Sequence, residues 1–476
     1  MGDRERSDRV ADLQSWLDRT PEDPSADDQR AALEALFELK AQPPLRYRMR
    51  LARLLIHEKD FERALATLNA TIEDYPDNIW AKKCLSDLYW ASFETDKSMN
   101  LLRALALENP HQGGLARLFI ARATEVGGPA MVSDFLRALQ AAGAEISDHA
   151  QAAFFHRLRD ETLVAPAAER IREGVLSLPA RVVLNVYADM GAQKGAQLHT
   201  ALAESADPDA NAEAARLDRL LQHAPKDDAL KRPAITEKFD EIISWAPEPG
   251  PGVSDDPEGI CLIFSGAAHN FGVPSSHLDR YLAARGLAAV YLRDPKRLVG
   301  QAGLPGLGDT PEAAALALRE QVFERGYRRI YILGFSLGGF WGFSYGLIMQ
   351  AHAMASFGGM TYLDRATMAA KQETRAPHYA HRLWRWVGQD GLNLQTEFVR
   401  RAHIPKTHLF FSPDHPLDAA HAGALADFDN VFLHPTHGVA GHDVSVGLKE
   451  IGLFQSSLDH LFSQGAAPRP DQGVKA

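Results

Sequence analysis

The hydrophobic pattern of this chain changes near residue 230, and this change constrains the fold more than any other feature. Up to that point apolar residues recur at helical spacing in segments rich in Ala, Leu, Arg and Glu. Beyond it, short apolar runs alternate with amphipathic stretches, as strands alternate with helices. The pattern predicts an all-α domain over residues 1–230. It predicts an α/β domain over 233–476, with helices on both faces of a mostly parallel sheet.

A 34-residue repeat lies inside the first half. Pro76 and Pro110 stand 34 residues apart, and the segments before them align position by position. The aligned sets are Leu51, Ala52, Leu55, Ala64 and Leu68, then Leu85, Ser86, Tyr89, Ser98 and Leu102, and in a degenerate third unit Phe119, Ile120, Ala123, Val132 and Leu136. This pattern resembles the tetratricopeptide repeat over about residues 45–142. The resemblance implies stacked helix-turn-helix units with a concave surface for a protein partner, and packing alone is the alternative.

The segment YILGFSLGGFWG, residues 331–342, sets a serine among glycines directly after a run of β-forming residues. Gly334, Ser336 and Gly338 fit G-x-S-x-G between a predicted strand and a predicted helix. In that setting a sharp, strained turn lifts the serine hydroxyl clear of the backbone, and the glycines let strand and helix approach closely. Because chemistry gathers at the carboxyl ends of parallel strands, the pattern predicts that Ser336 is a nucleophile.

A serine nucleophile needs an imidazole to take its proton and a carboxylate to orient that imidazole. Downstream, THLFFSPD ends in Asp414 directly after an apolar run, and VAGHDV carries His442 before the last predicted helix. Asp418 is an alternative to Asp414, and His434 and His437 are alternatives to His442.

The order Ser, Asp, His and the strand-turn-helix setting resemble the α/β-hydrolase superfamily over about residues 235–465. The resemblance implies that Ser336, Asp414 and His442 form a catalytic triad acting on an ester, thioester or acyl group. An inactive hydrolase-fold scaffold with partner-binding repeats, or an acyltransferase using the same nucleophile, remains an alternative.

The resemblance also implies an oxyanion hole and a cap. The oxyanion donors would be the N–H of Leu337 and that of Ala267, in the loop LIFSGAAHNFG, where Gly266 and His269 would line the pocket. The insertion 365–403 corresponds to the cap, and residues 365–401 carry an excess of four positive charges. Those charges indicate either solvated arginines over a helical cap or a surface for an anionic substrate.

The net charge and composition limit the classes of partner and ligand that we expect. A formal net charge of -11 argues against binding to nucleic acid or to an anionic membrane surface. No segment resembles a signal peptide or a run of about 18 apolar residues, so we expect a cytoplasmic protein without a membrane span. Cys84 and Cys261 offer neither a disulfide framework nor a zinc site, and the spacing of His434, His437 and His442 matches no structural zinc pattern. We therefore expect no metal, no organic cofactor, and a small-molecule, acylated or glycan substrate.

Overall fold

The structure, a computed structural model, describes most of the chain and divides it into two compact units. The described residues are 3–19, 26–39, 42–126, 128–143, 164–225, 243–246, 259–266, 271–294, 296–375, 377–388, 391–439 and 441–462. One unit comprises Met1–Ala123 with Asp134–Ser147, and the other comprises Thr124–Ser133 with Asp148–Ala476. This division differs from the boundary predicted near residue 230, which falls inside the second unit. No helix in these ranges is long and apolar enough to cross a bilayer.

The first part of the described chain is entirely helical. Its helices are α1 (Asp3–Arg19), α2 (Ala26–Leu39), α3 (Leu45–His57), α4 (Phe61–Asp74), α5 (Ile79–Ala91), α6 (Thr95–Glu108), α7 (Gly113–Val126) and α8 (Gly128–Ala141). Helices α3, α5 and α7 begin at residues 45, 79 and 113, so their starts recur every 34 residues. The aligned Ala64 and Ser98 are fully buried, as are Leu68 and Leu102. The period of the sequence is therefore also a period of helix starts.

In the described part of the chain before the sheet, four further helices belong to the second unit. They are α9 (Val164–Arg172), α10 (Ala180–Asp189), α11 (Ala192–Glu204) and α12 (Pro208–Gln222). Their apolar faces share one core, and Val446, from a much later part of the chain, is buried in that core. This shared core is the physical reason why these helices group with the sheet rather than with α1–α6.

The second unit is built on a seven-stranded sheet. Its strands are β1 (Ile243–Ala246), β2 (Gly259–Phe264), β3 (Ala288–Leu292), β4 (Arg329–Phe335), β5 (Ala353–Phe357), β6 (Lys406–Phe411) and β7 (Val431–Pro435). The spatial order is β1-β3-β2-β4-β5-β6-β7, and only the edge strand β1 runs antiparallel to its neighbour. Every residue of β2 is buried, as expected for an apolar strand covered on both faces.

Helices cover both faces of this sheet. They are α13 (Ser275–Ala283), α14 (Pro311–Glu324), α15 (Leu337–Met349), α16 (Arg365–Ala370), α17 (Pro377–Val387), α18 (Leu394–Val399), α19 (Pro416–Gly423), α20 (Val444–Glu450) and α21 (Phe454–Phe462). One core joins the sheet to α14 and α15, and a second joins it to α13, α20 and α21. The predicted fold class, an all-α region followed by an α/β domain with a mostly parallel sheet and helices on both faces, is confirmed. The short helices α16, α17 and α18 occupy the insertion between β5 and β6.

Candidate active site

Ser336 lies at the sharp turn between the central strand β4 and helix α15. Its φ of 52° is in the left-handed region that side-chain-bearing residues rarely adopt. A Cβ on Gly338 would come within 2.2 Å of the Phe264 carbonyl oxygen, and one on Gly334 within 2.4 Å of the Gly338 oxygen. The two glycines are therefore required by close backbone approach, which is the role that the G-x-S-x-G spacing predicts.

His442 lies in the loop between β7 and α20, with its ring against Ser336. Its Nε2 is 2.8 Å from the Ser336 hydroxyl oxygen. A Cβ on Gly358 would lie 2.9 Å from the His442 carbonyl oxygen, so this loop also sits tightly against the end of β5. The other two candidate histidines lie elsewhere. His437 is exposed, and His434 points to His408 rather than to Ser336.

The carboxylate beside His442 belongs to Asp418, not to Asp414. His442 Nδ1 lies 2.9 Å from Asp418 Oδ1, and the Asp418 side chain is 1% exposed. Asp414 is exposed in the turn that follows β6. That turn continues to His415, whose ring accepts from the Asp418 N–H at 3.3 Å and so caps α19. The first turn of α19, rather than the end of the strand, points inward to His442.

Arg375 and Glu373 extend this arrangement with a second ion pair. An Nη1–H of Arg375 donates to Asp418 Oδ1, and the same nitrogen is 2.9 Å from His442 Nδ1. The Arg375 guanidinium also pairs with Glu373, with an Nη2 to Oε2 distance of 2.7 Å. Together Glu373, Arg375 and Asp418 carry a net charge of -1. Arg375 is thus balanced by Glu373, and the remaining negative charge faces His442.

Burial and hydrogen bonding set the charges in this cluster. Burial alone would raise the pKa of Glu373, but hydrogen bonds from His421 and Arg375 outweigh it and lower that pKa to about 2. Burial also acts to raise the pKa of Asp418, and the hydrogen bond from His442 with the charges of His442 and Arg375 lowers it overall. Both carboxylates are therefore ionised at neutral pH.

His421 fixes the position of the Glu373 carboxylate by a hydrogen bond. Its Nδ1 accepts from the Thr361 N–H at 3.0 Å, which leaves Nε2–H to donate to Glu373 Oε2 at 2.9 Å. The ring stacks on Tyr362, with the ring centroids 3.8 Å apart. Burial lowers the pKa of His421, so the ring is a neutral orienting donor rather than a cation.

The sequence did not reveal this Glu373–Arg375–His421 network. One residue, Thr374, separates Glu373 from Arg375 in an insertion rich in arginine, where both look like solvated charges. One signal was available for Asp418, because Pro416 after His415 marks the first turn of a helix. An aspartate in that first turn is held more rigidly than one in the preceding loop.

The predicted oxyanion residues are described only in part. Leu337 is the first residue of α15, so its N–H has no acceptor inside the helix. Gly266 is buried just beyond β2, where the Ser265 carbonyl accepts from Trp341 Nε1 at 3.2 Å and Gly338 abuts Phe264. The chain therefore leaves β2 beside the turn that carries Ser336. Ala267 and His269 lie outside the described residues.

A narrow apolar cavity begins at Leu337. Its lining is mainly apolar and comes from the loop after β3, from the start of α15 and from the segment between β5 and β6: Val299, Leu337, Met360, Leu363, Met368, Arg375, Tyr379, Ala380 and Leu383. As it stands the space is too narrow for a water molecule. Met360 and Met368 are unbranched, so a modest rotation of either side chain would widen it.

Comparison with known proteins yields structural neighbours at low identity. No family model matches the chain, and no curated protein matches it. An alpha/beta hydrolase enzyme from the metagenome of lagoon sediments at Mar Chica, Morocco, is 15% identical, with a TM-score of 0.32, over 47% of this chain and 95% of that one. Esterase B from Lactobacillus rhamnosis is 16% identical, with a TM-score of 0.31, over 47% and 85%. A lipase-esterase related protein from Clostridium acetobutylicum is 12% identical, with a TM-score of 0.30, over 46% and 100%.

Proposed function

We propose that this protein is a serine hydrolase that cleaves an ester, thioester or similar acyl group through Ser336, His442 and Asp418. One observation carries the proposal: the hydroxyl, both imidazole nitrogens and the carboxylate form a continuous line of contacts, at 2.8 Å and 2.9 Å. Such a line is what a general base needs in order to activate a serine. Asp418 takes the role that the sequence analysis predicted for Asp414.

The proposed reaction proceeds in two acyl-transfer steps. The Ser336 oxygen attacks the substrate carbonyl carbon while His442 Nε2 takes the hydroxyl proton. The resulting oxyanion accepts from the Leu337 N–H, at the positive end of α15. The bond to the leaving group then breaks, and that alcohol or thiol takes the proton from His442. Water, deprotonated by His442, attacks the acyl-enzyme, and the acid leaves as Ser336 regains its proton.

The charge cluster supports the proton transfers. As His442 takes a proton, Asp418 stabilises the imidazolium across a buried contact. Arg375 by itself would repel that imidazolium, but Glu373 neutralises the guanidinium. Arg375 and Glu373 are therefore positioning residues in this proposal, since neither reaches Ser336. Their function is to hold the Asp418 carboxylate in one orientation.

The cavity beside Leu337 supports an apolar, short acyl group. Its lining offers mostly carbon atoms, and it is too narrow for a water molecule until a methionine side chain rotates, so it leaves little room for a long chain. In a series of p-nitrophenyl esters we expect the highest kcat/KM for short acyl chains. Met368→Ala should shift the preference toward longer chains, whereas substitution of the exposed Trp386 should not. An unchanged chain-length preference in Met368→Ala would argue against this acyl pocket.

The decisive experiment is covalent labelling with a fluorophosphonate probe. We expect the full chain to label at Ser336, and Ser336→Ala to be folded, unlabelled and reduced about a million-fold in ester turnover. Turnover of folded Ser336→Ala within tenfold of the parent would remove the serine from the mechanism. Absence of labelling in the folded parent chain would favour the inactive scaffold. A product that forms only with an added acyl acceptor, and no free acid, would favour an acyltransferase.

The function of the helical repeats is a prediction separate from the hydrolase proposal. The 34-residue recurrence of helix starts supports the tetratricopeptide resemblance. We propose that these helices form a repeat stack that binds a protein partner. A fragment ending after α8 should then be folded and helical by circular dichroism. Failure of that fragment to fold would leave packing within the chain as the role of these helices.

A further inference from the structure

Three histidines come together in a part of the sheet that the proposed hydrolysis does not use. His408 lies in β6, His434 in β7 and His460 in α21. In the register of these strands His408 pairs with Phe432 and Phe410 pairs with His434, so the two strand histidines emerge on the same face. Helix α21 packs on that face and brings the third imidazole.

The three rings are close enough to share one ion. One ring nitrogen from each histidine lies within 4.8 Å of the other two, and the centroid of His460 is 4.7 Å from that of His434. His408 Nδ1 and His434 Nε2 are 2.8 Å apart. In a tetrahedral site, ligand nitrogens about 2.0 Å from the metal lie about 3.3 Å from one another. The distance between these two nitrogens would therefore have to increase by roughly half an ångström for both to bind the ion. Small χ rotations supply such a movement.

The burial of His408 also favours a ligand at this site. His408 is 3% exposed, and its Nε2 is buried without a hydrogen-bond partner. A buried polar atom of this kind needs an explanation, and a site that rotates the ring on ion binding supplies one.

The positive charge of Lys406 opposes cation binding at the three histidines and so limits which metal ions could bind there. Lys406 contributes positive charge at both His408 and His434, and its Nζ lies 5.7 Å from the centre of the Phe432 ring. A weakly held, oxygen-preferring cation such as Mg²⁺ or Ca²⁺ gains little from imidazoles and does not offset this repulsion. Zn²⁺ and its neighbours Ni²⁺, Co²⁺ and Cu²⁺ bind imidazole strongly enough to do so.

We propose that His408, His434 and His460 form a binding site for a divalent transition metal ion, with Zn²⁺ as the best match. Three protein nitrogens leave the remaining coordination position to water. The ion would join β6, β7 and α21, and so fasten the last described helix to the edge of the sheet. This proposal differs from the expectation of no metal, which was made from the sequence. His434 alone is common to this cluster and to the His434, His437 and His442 set weighed from the sequence.

The test uses the full chain, stripped with a chelator and then titrated with Co²⁺. We expect a visible absorption band of the intensity typical of tetrahedral cobalt, which one equivalent of Zn²⁺ abolishes, with micromolar or tighter zinc affinity. His434→Gln, which preserves most of the side-chain volume, should weaken zinc binding by at least about 100-fold. His437→Ala is the matched control, because this exposed neighbour lies outside the cluster.

A second readout and a second cluster variant make the result unambiguous. Zinc should raise the unfolding temperature of the parent chain and of His437→Ala, but not that of His434→Gln. Should His434→Gln fail to fold, His460→Gln on the helix side replaces it. No cobalt band in the folded parent chain would overturn the proposal, and so would equal zinc affinity in the parent and the cluster variants. Ser336→Ala should bind zinc normally, so failure here is distinct from failure of the hydrolase proposal.

Discussion

Replacing Asp418 with asparagine is the sharpest test of the proposed triad. The variant removes one negative charge and adds no bulk, so its main effect is on the protonated state of His442. Arg375 donates to the same Asp418 oxygen that contacts His442 Nδ1. The asparagine amide oxygen is therefore expected at that position, since the amide N–H₂ cannot accept from a guanidinium. His442 then keeps its tautomer and loses only the charge opposite it.

The magnitude follows from that loss. With about 4 Å between charge centres and an effective dielectric constant of about 20, the interaction is about 4 kcal/mol. Each 1.36 kcal/mol corresponds to a factor of ten, so kcat should fall about a thousand-fold. KM should change little, because the ground state contains no imidazolium. The variant should fold, because Glu373 still neutralises Arg375.

The assay is steady-state hydrolysis of a short p-nitrophenyl ester, together with the rate of fluorophosphonate labelling. Asp414→Asn is the matched control, because it makes the same chemical change four residues earlier at an exposed site. We expect that control within about twofold of the parent chain. The reasoning is refuted if folded Asp418→Asn keeps activity within tenfold while Asp414→Asn loses a hundred-fold or more.

Three other perturbations test separate parts of the structure. Glu373→Gln should lower kcat about ten- to a hundred-fold with KM unchanged, because Arg375 then cancels the charge of Asp418. An unchanged kcat in ester hydrolysis would contradict this role of Glu373. Gly338→Ala should be insoluble or strongly destabilised in thermal unfolding, because its Cβ would meet the Phe264 carbonyl oxygen; a parent-like melting temperature would contradict this. Burial lowers the pKa of the Lys449 ammonium group to about 7. Between about pH 7 and 10 the unfolded chain therefore binds a proton at this lysine that the folded chain lacks. The free energy of unfolding, measured with urea, should rise with pH across that window. Lys449→Met should flatten the rise, and an equally steep rise in the variant would refute the assignment.

The turn at Ser336 could be predicted from sequence because every requirement is local. A β-forming run, glycines two residues to either side and an apolar helix all lie within twenty residues. The same holds for the change from helices to alternating strands and helices. Both depend on periodicity, which a single chain displays directly.

The acid and its supporting network could not be predicted in the same way. Asp414 and Asp418 both follow the same strand, and the choice depends on how far the turn runs before α19 begins. Glu373 and His421 meet across 48 residues, with a 2.9 Å contact that no spacing rule encodes. The three histidines of the metal proposal likewise depend on strand register and on where α21 packs.

Helix α20, which follows His442, is tied at both ends to the helices that precede the sheet in sequence. At its start Asp443 pairs with Arg181, at 3.0 Å, and at its end Glu450 accepts from Arg216 and Arg219. Val446, between them, is buried in the core of α9–α12. An N-terminal truncation at the first strand would therefore expose Val446 and release both ends of the helix after the loop that carries His442. If the chain has the proposed hydrolase activity, its shortest active version should begin upstream of α9, and gene fusions or domain exchanges that cut near residue 230 should lose that activity even where the sheet survives.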